Sequence, residues 1–321
     1  MSYSFFSKLY IRSFDFFGKW KSNGSSFSAF KYKVATRLCR SYFKKKFPEY
    51  AEKHPVYGLN TDITRNEKII VSLTSFPARI DKVWIAISTI MRQSFKPDAI
   101  ELWLSEDQFP NREADLPEKL LNLKKYGLSV CFCKGDLRSH KKYFYAMQKH
   151  PDDIVITCDD DLFYPADTLE QLLKMHSESN DCVIGISNTL FDSSDFFNPI
   201  SWDMQKSPTK DKINLGICGG SATLFPPNSL AKQAFDEDLI EKICPYADDQ
   251  WLTAMIYLNG KTVSSVGRIP FPISIEGTQE VTLYDKNNSV TSAINNDTQW
   301  NAILNEFSDE LKCWKEKILN E

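Results

Sequence analysis

The chain has 321 residues, 42% of them hydrophobic and 13% aromatic, enough to bury a core in one large or two small domains and too apolar for disorder. Its formal net charge of −3 is unevenly spread: residues 1–46 hold eleven Lys/Arg against the single acid Asp15, so a +10 segment precedes a −13 body. The eight cysteines are scattered, mostly inside apolar runs, and no C-x-x-C accompanies the four histidines, which argues against both a disulfide scaffold and a structural zinc site.

Residues 1–60 read as a basic, aromatic helical segment. In its second half Phe27, Phe30, Val34, Leu38 and Tyr42 follow helical spacing, with lysines and arginines between them. Such a helix would lie on an anionic membrane surface or pack on the protein's own acidic body, and the first is preferred. No apolar run approaches the roughly 18–20 residues of a membrane span, and the N-terminus lacks the apolar core of a signal peptide. The expected location is therefore cytoplasmic, peripheral on the inner face of the cell membrane.

From residue 68 the pattern changes to short apolar runs alternating with helical stretches. Strands are predicted at 68–73, 99–104, 128–133, 153–158 and 182–187, with helices near 80–93, 116–126, 139–149 and 167–178 between them. Nearly continuous apolar strands are buried on both faces, so the expected fold class is α/β, a mostly parallel sheet flanked by helices. Ligands bind such sheets beyond the carboxyl ends of the strands, where Ser72–Ser75, Lys134–Ser139 and Asp159–Asp161 fall. Past residue 190 comes a long polar and aromatic loop, then helices at about 228–243 and from Asp248 onward, and an amphipathic helix at about 298–318. This divides the chain into the basic segment 1–60, a catalytic domain 61–290, and a C-terminal helix within 291–321.

Three stretches carry the chemistry. "PDDIVITCDDDLFYP" sets Asp159, Asp160 and Asp161 against a strand; alternation would put Asp159 and Asp161 on one face and turn Asp160 away. Two such carboxylates repel, and a shared proton or a divalent cation relieves them; oxygen ligands favour Mg²⁺ or Mn²⁺, which leave positions open for phosphates, while the alternative is an Asp-rich turn capping the following helix. "SLTSFPARI" adds hydroxyls and a guanidinium at the first strand's end, and "KGDLRSHKKYFYA" places Arg138, Lys141 and Lys142, beside Asp136, where cations could balance a diphosphate. Downstream, Gly219 and Gly220 permit close backbone approach to a ligand or simply a bulge, and "YADDQWL" opens a helix with Asp248 and Asp249, a general base or an N-cap.

The order "VSLTSFPARI", "LRSHKKYFYA", "PDDIVITCDDDLFYP", "YADDQWL", over about residues 68–265, resembles the nucleotide-sugar glycosyltransferases of GT-A fold, especially bacterial enzymes of surface-polysaccharide synthesis. The resemblance implies a GT-A-like (Rossmann-like) fold and transfer of a sugar from a nucleotide-diphosphate donor to a hydroxyl of a glycan or lipid-linked acceptor. It implies Asp159 and Asp161 as metal-binding, and Thr74, Ser75, Arg79, Asp136, Arg138, Lys141, Lys142, Asp159 and Asp160 as nucleotide-binding. Gly219, Gly220 and Trp251 would meet the donor or acceptor sugar. Asp249, with Asp248 as second choice, would deprotonate the acceptor in an inverting displacement. Three other readings compete. A haloacid-dehalogenase-type phosphatase would want Thr or Val where Phe163 stands. A non-catalytic glycan-binding protein would use Trp202, Phe196 and Phe197 as stacking platforms, and nucleic-acid binding by residues 1–46 is disfavoured.

Overall fold

Along the first strand Ile69, Val71 and Leu73 join one hydrophobic core while Ile70 joins another, because successive side chains of a strand leave its two faces alternately. The computed structural model describes residues 3–179, 181–205, 207–218, 221–268, 273–280 and 293–320. Strands β1 (Ile69–Thr74), β2 (Ala99–Ser105), β3 (Leu128–Cys133) and β4 (Ile154–Thr157) run parallel, in the order β3-β2-β1-β4. The helices between them are α4 (Ile80–Ile90), the short α5 (Glu118–Asn122) and α6 (Lys141–Lys149). After the two-residue β5 (Leu162–Phe163) and α7 (Thr168–Glu178), β6 (Val183–Gly185) belongs to the same sheet and β7 (Asn188–Leu190) leaves it to pair with β8 (Asp203–Met204).

The far half of the large sheet is mixed. Strand β9 (Thr209–Lys212) forms its outer edge, β10 (Leu215–Ile217) joins β7, and β11 (Thr223–Phe225) inserts antiparallel between β4 and β6. Strand β12 (Val263–Ser265) lies parallel to β6, and β13 (Ile273–Ser274) pairs antiparallel with β5. The result is an eight-stranded, mostly parallel sheet between helical layers, the α/β class expected.

Two predicted helices are corrected. The stretch 228–243 is α-helical only over α8 (Glu237–Ile243), preceded by a single 3-10 turn at Lys232–Phe235. Its first part follows Pro226-Pro227 and runs along α9 (Asp248–Leu258), with the Ala231 N–H donating to the Met255 carbonyl, until the Asp236 side chain caps α8 by accepting from the Leu239 N–H. The C-terminal helix is two helices, α10 (Asn296–Glu306) and α11 (Lys312–Leu319), separated by residues 307–311, where Phe307 and Leu311 are buried. Both pack on α9 and the small sheet, with Trp300, Trp314 and Phe196 at the centre of that core.

Ahead of β1, α1 (Tyr3–Asn23) and α2 (Ser26–Lys45) form a hairpin turned at Gly24, whose φ of 66° suits a residue without a Cβ. Ser25 caps α2, and α3 (Phe47–Lys53) leads into the sheet. The hairpin docks through Phe6, Tyr10, Ala35, Cys39, Tyr42 and Phe43, with Phe6 stacked on Tyr42 at 4.0 Å. The predicted apolar stripe of α2 is thus split, Tyr42 facing the body while Phe27, Phe30, Val34 and Leu38 face outward. Among the described residues no helix is long and apolar enough to cross a membrane, and all eight cysteines are free thiols.

Candidate active site

The parallel strands deliver their polar ends to one edge of the sheet. Beyond β1, Ser75 donates to Asp160 Oδ2 at 2.6 Å, and Arg79, at the start of α4, reaches Asp160 Oδ1 at 2.8 Å and Asp161 Oδ2 at 3.1 Å. Both oxygens of Asp160 are therefore held by the protein itself, and its carboxyl is buried. Asp161 also accepts from Gln279 Nε2 at 2.8 Å, while its carbonyl takes the Ile275 N–H at 2.7 Å. Asp159, the most open of the three, turns the other way, to Lys142 Nζ at 2.8 Å.

Strand alternation had Asp159 and Asp161 sharing a face. Instead Asp160 and Asp161 share one guanidinium, because β4 ends at Thr157 and the chain turns over 158–161, where the two-residue period no longer applies. The turn is braced by the Tyr164 hydroxyl, which accepts from the Asp159 N–H at 2.6 Å. Burial, reinforced by the charge of Asp159, pushes the Asp161 carboxyl up to about 7 despite Arg79. This corner is short of positive charge.

Lys142 joins this loop to the second acidic pair. From the first turn of α6 its ammonium lies 2.8 Å from Asp159 and 2.8 Å from Asp248 Oδ2, and it is buried. Burial alone would raise Asp248, but Lys142, together with His140 and Ser139, holds that carboxyl below its ordinary value. Conversely, burial would lower Lys142, and the aspartates around it raise it well above. Asp249, next on α9, is half-buried, and its carbonyl accepts from Thr253.

The remaining predicted residues divide. Lys141 and Lys142, expected to meet a diphosphate, are interior and matched to acids, Lys141 to Asp136 and Lys142 to Asp159 and Asp248; a buried ammonium without such a partner would be costly. Asp136 also takes the Gln108 amide at 2.7 Å and the Arg138 N–H at 3.1 Å. Arg138, at a φ of 53°, lies over the Tyr246 ring at 4.5 Å. Thr74 donates to the Trp103 carbonyl at 2.9 Å, an inter-strand contact.

Trp251 is corrected: it is fully buried, against Phe307, with its indole N–H toward the Ala234 carbonyl, so it is core and cannot touch a sugar. Gly219 and Gly220 lie outside the described residues. The stacking platform of the glycan-binding reading does not form, since Phe196 is fully buried and Trp202 is wedged against Phe191 and Trp300. His140 is buried between the Tyr143 hydroxyl and the Cys244 carbonyl, and burial lowers its imidazole to about 4. Gln279, Tyr164 and Tyr246 went unrecognised in the sequence. Only Tyr164, three residues beyond the acidic run, had a local signal.

The family model for Glycosyl transferase family 2 matches residues 78–240, just over half the chain, from the loop carrying Arg79 through the acidic run. The chain belongs to glycosyl transferase family 2. This family 2 glycosyltransferase has the GT-A-like sheet that the sequence resemblance implied. Among solved structures it is similar to a mannosyltransferase from Pyrobaculum calidifontis in complex with GDP-Man and Mn²⁺, at 14% identity and a TM-score of 0.40, over 76% of this chain and 67% of that one. It is similar also to residues 1–349 of S. aureus TarS in complex with UDP-GlcNAc, at 13% identity and a TM-score of 0.48, over 78% and 70%. A third, GalNAc-T7 with UDP, GalNAc and Mn²⁺, shows 12% identity and a TM-score of 0.47 over 87% and 57%. A comparison with curated proteins returns no match.

Proposed function

We propose that this glycosyltransferase moves a sugar from a nucleoside-diphosphate donor to a hydroxyl of a glycan or lipid-linked glycan, with inversion, in surface-polysaccharide synthesis at the cytoplasmic side of a membrane. The observation that supports the reading is the joining of the acidic loop to the start of α9 through Lys142, whose ammonium pairs with Asp159 and Asp248, the carboxylates this reading takes as donor-side and acceptor-side.

Among the described residues no group of three or more His, Cys, Asp or Glu side chains could hold a metal unaided. Asp159 and Asp161 are the oxygen donors that would hold a divalent cation such as Mn²⁺ or Mg²⁺ completed by phosphate oxygens, which would have to draw Asp159 from Lys142 and Asp161 from Arg79 and Gln279; the raised Asp161 carboxyl marks a place where added positive charge is favourable. When bound, the cation would supply charge stabilisation to the departing diphosphate. Arg79 and Ser75 fix the loop by holding Asp160. Asp248, kept anionic by Lys142, is a weak base and acts as a positioning residue, which leaves Asp249 to accept the acceptor's proton.

The reading is tested by thermal stabilisation with a panel of nucleotides and nucleotide sugars, with Mn²⁺, with Mg²⁺ and with chelator. A metal-dependent shift for one nucleotide, retained in Asp249→Asn while sugar transfer falls by about 100-fold or more, is expected. No shift with any nucleotide in folded protein, or full transfer by Asp249→Asn, would overturn it.

A further inference from the structure

The α1–α2 hairpin has two faces of unlike character. Its inner face is packed, whereas on α2 Phe27 is 65% exposed, Phe30 64%, Val34 41% and Leu38 44%. At a spacing of i, i+3, i+7 and i+11 these four form one stripe along the helix. Lys31 borders the stripe on one side and Arg37 on the other, and ten of the eleven basic residues in 1–46 are exposed. Among the described residues no ion pair joins any of the eleven to an acid, so the body's negative charge does not neutralise this surface.

The charge decides what covers the stripe. A second copy packed face to face would bring two +10 segments together. A nucleic acid would match the charge, yet Val34 and Leu38, the second half of the stripe, offer bases nothing to stack on. A bilayer with anionic headgroups satisfies both features, taking the apolar side chains at the acyl boundary and the lysines and arginines among the phosphates.

We infer that α2 lies in the plane of an anionic phospholipid bilayer, inserting Phe27, Phe30, Val34 and Leu38 and resting Lys31 and Arg37 on the headgroups. The inner face of the same hairpin holds the strand that follows the acidic run. Phe43 and α3's Phe47 pack on Phe163 at 5.4 and 5.7 Å, and the Tyr10 hydroxyl donates to the Phe163 carbonyl at 3.4 Å while accepting from the Ile273 N–H at 2.6 Å. The bilayer would thereby set the height of the acidic loop above the lipid surface.

The test is flotation of the full chain with vesicles of phosphatidylcholine alone and of phosphatidylcholine mixed with phosphatidylglycerol, a readout that needs neither donor nor acceptor. Binding is expected to the mixed vesicles only, weakening with salt. The double variant F27S/F30S and the double variant K31E/R37E, at exposed positions and with helicity checked by circular dichroism, should each bind about ten-fold more weakly or worse. Three results would overturn the inference: no binding to mixed vesicles at low salt, undiminished binding by F27S/F30S, or a wild-type dimer that F27S/F30S dissociates. Tighter salt-sensitive binding to duplex DNA than to the mixed vesicles would do the same.

Discussion

Asp161→Asn is expected to stabilise the metal-free protein above neutral pH, because the native carboxylate is buried beside Asp159 and only partly offset by Arg79. Taking that carboxyl from its ordinary 3.8 to about 7 corresponds to about 4 kcal/mol of preference for the neutral form. Asparagine mimics the neutral form and can still accept from Gln279, so about 2–4 kcal/mol should appear at pH 8. The sign follows from linkage. A carboxyl raised in the folded state favours folding most below its unfolded value of 3.8, and that advantage is lost as pH rises through about 7. His140 acts oppositely over nearly the same range: its imidazole is lowered from 6.5 to about 4, so the stability it permits above 6.5 is lost as pH falls toward 4. In wild type the two trends largely offset. In Asp161→Asn the histidine's loss, about 3 kcal/mol between pH 7 and pH 4, stands uncovered. Urea denaturation of both proteins in chelator at pH 4, 5, 7 and 8 measures this, and an asparagine variant no more stable than wild type at pH 8 would refute the electrostatic account of the loop.

Lys142→Met should destabilise the protein by about 3–5 kcal/mol at pH 7, since it leaves Asp159 and Asp248 facing each other without the cation between them, and a loss of unfolding free energy in urea of less than a quarter of that would argue against the bridge. Trp251→Phe, which keeps an aromatic ring in the same core, should lower the melting temperature yet leave donor and acceptor KM unchanged, whereas a sugar-stacking role would raise KM.

The parallel half of the sheet was legible because β1, β2 and β4 are short apolar runs buried on both faces and the half-exposed edge strand β3 is a short apolar run too, a signal that depends on no distant residue. Helices α4, α6, α7 and α9 were legible for the same local reason. What failed was whatever required the partner to be known. Nothing in "KGDLRSHKKYFYA" tells that Lys142 faces acids within the protein rather than a ligand, because that depends on Asp159 in the next loop and on Asp248, over a hundred residues away; the partner of Lys141, Asp136, lies within the stretch itself. The geometry of Asp159–Asp161 was misjudged because the end of β4 is set by the turn that Tyr164 and Arg79 brace. Helical spacing found the stripe on α2 but not its division, since Tyr42 turns inward only through Phe6 on the neighbouring helix.

Tyr10 touches two strands whose residues follow it by 153 and 263 positions. The hairpin is made before β5 and β13, and the Tyr10 hydroxyl gains its second partner only when β13 has emerged. Closing so long a loop carries a high entropic cost and is slow, so the acid-rich turn should be among the last parts of the catalytic domain to become rigid. A chain cut short before residue 273 would keep most of its parallel sheet while losing one of the two clasps on β5. A deletion in α1 would loosen the other clasp, which makes two segments far apart in the sequence joint custodians of one buried strand.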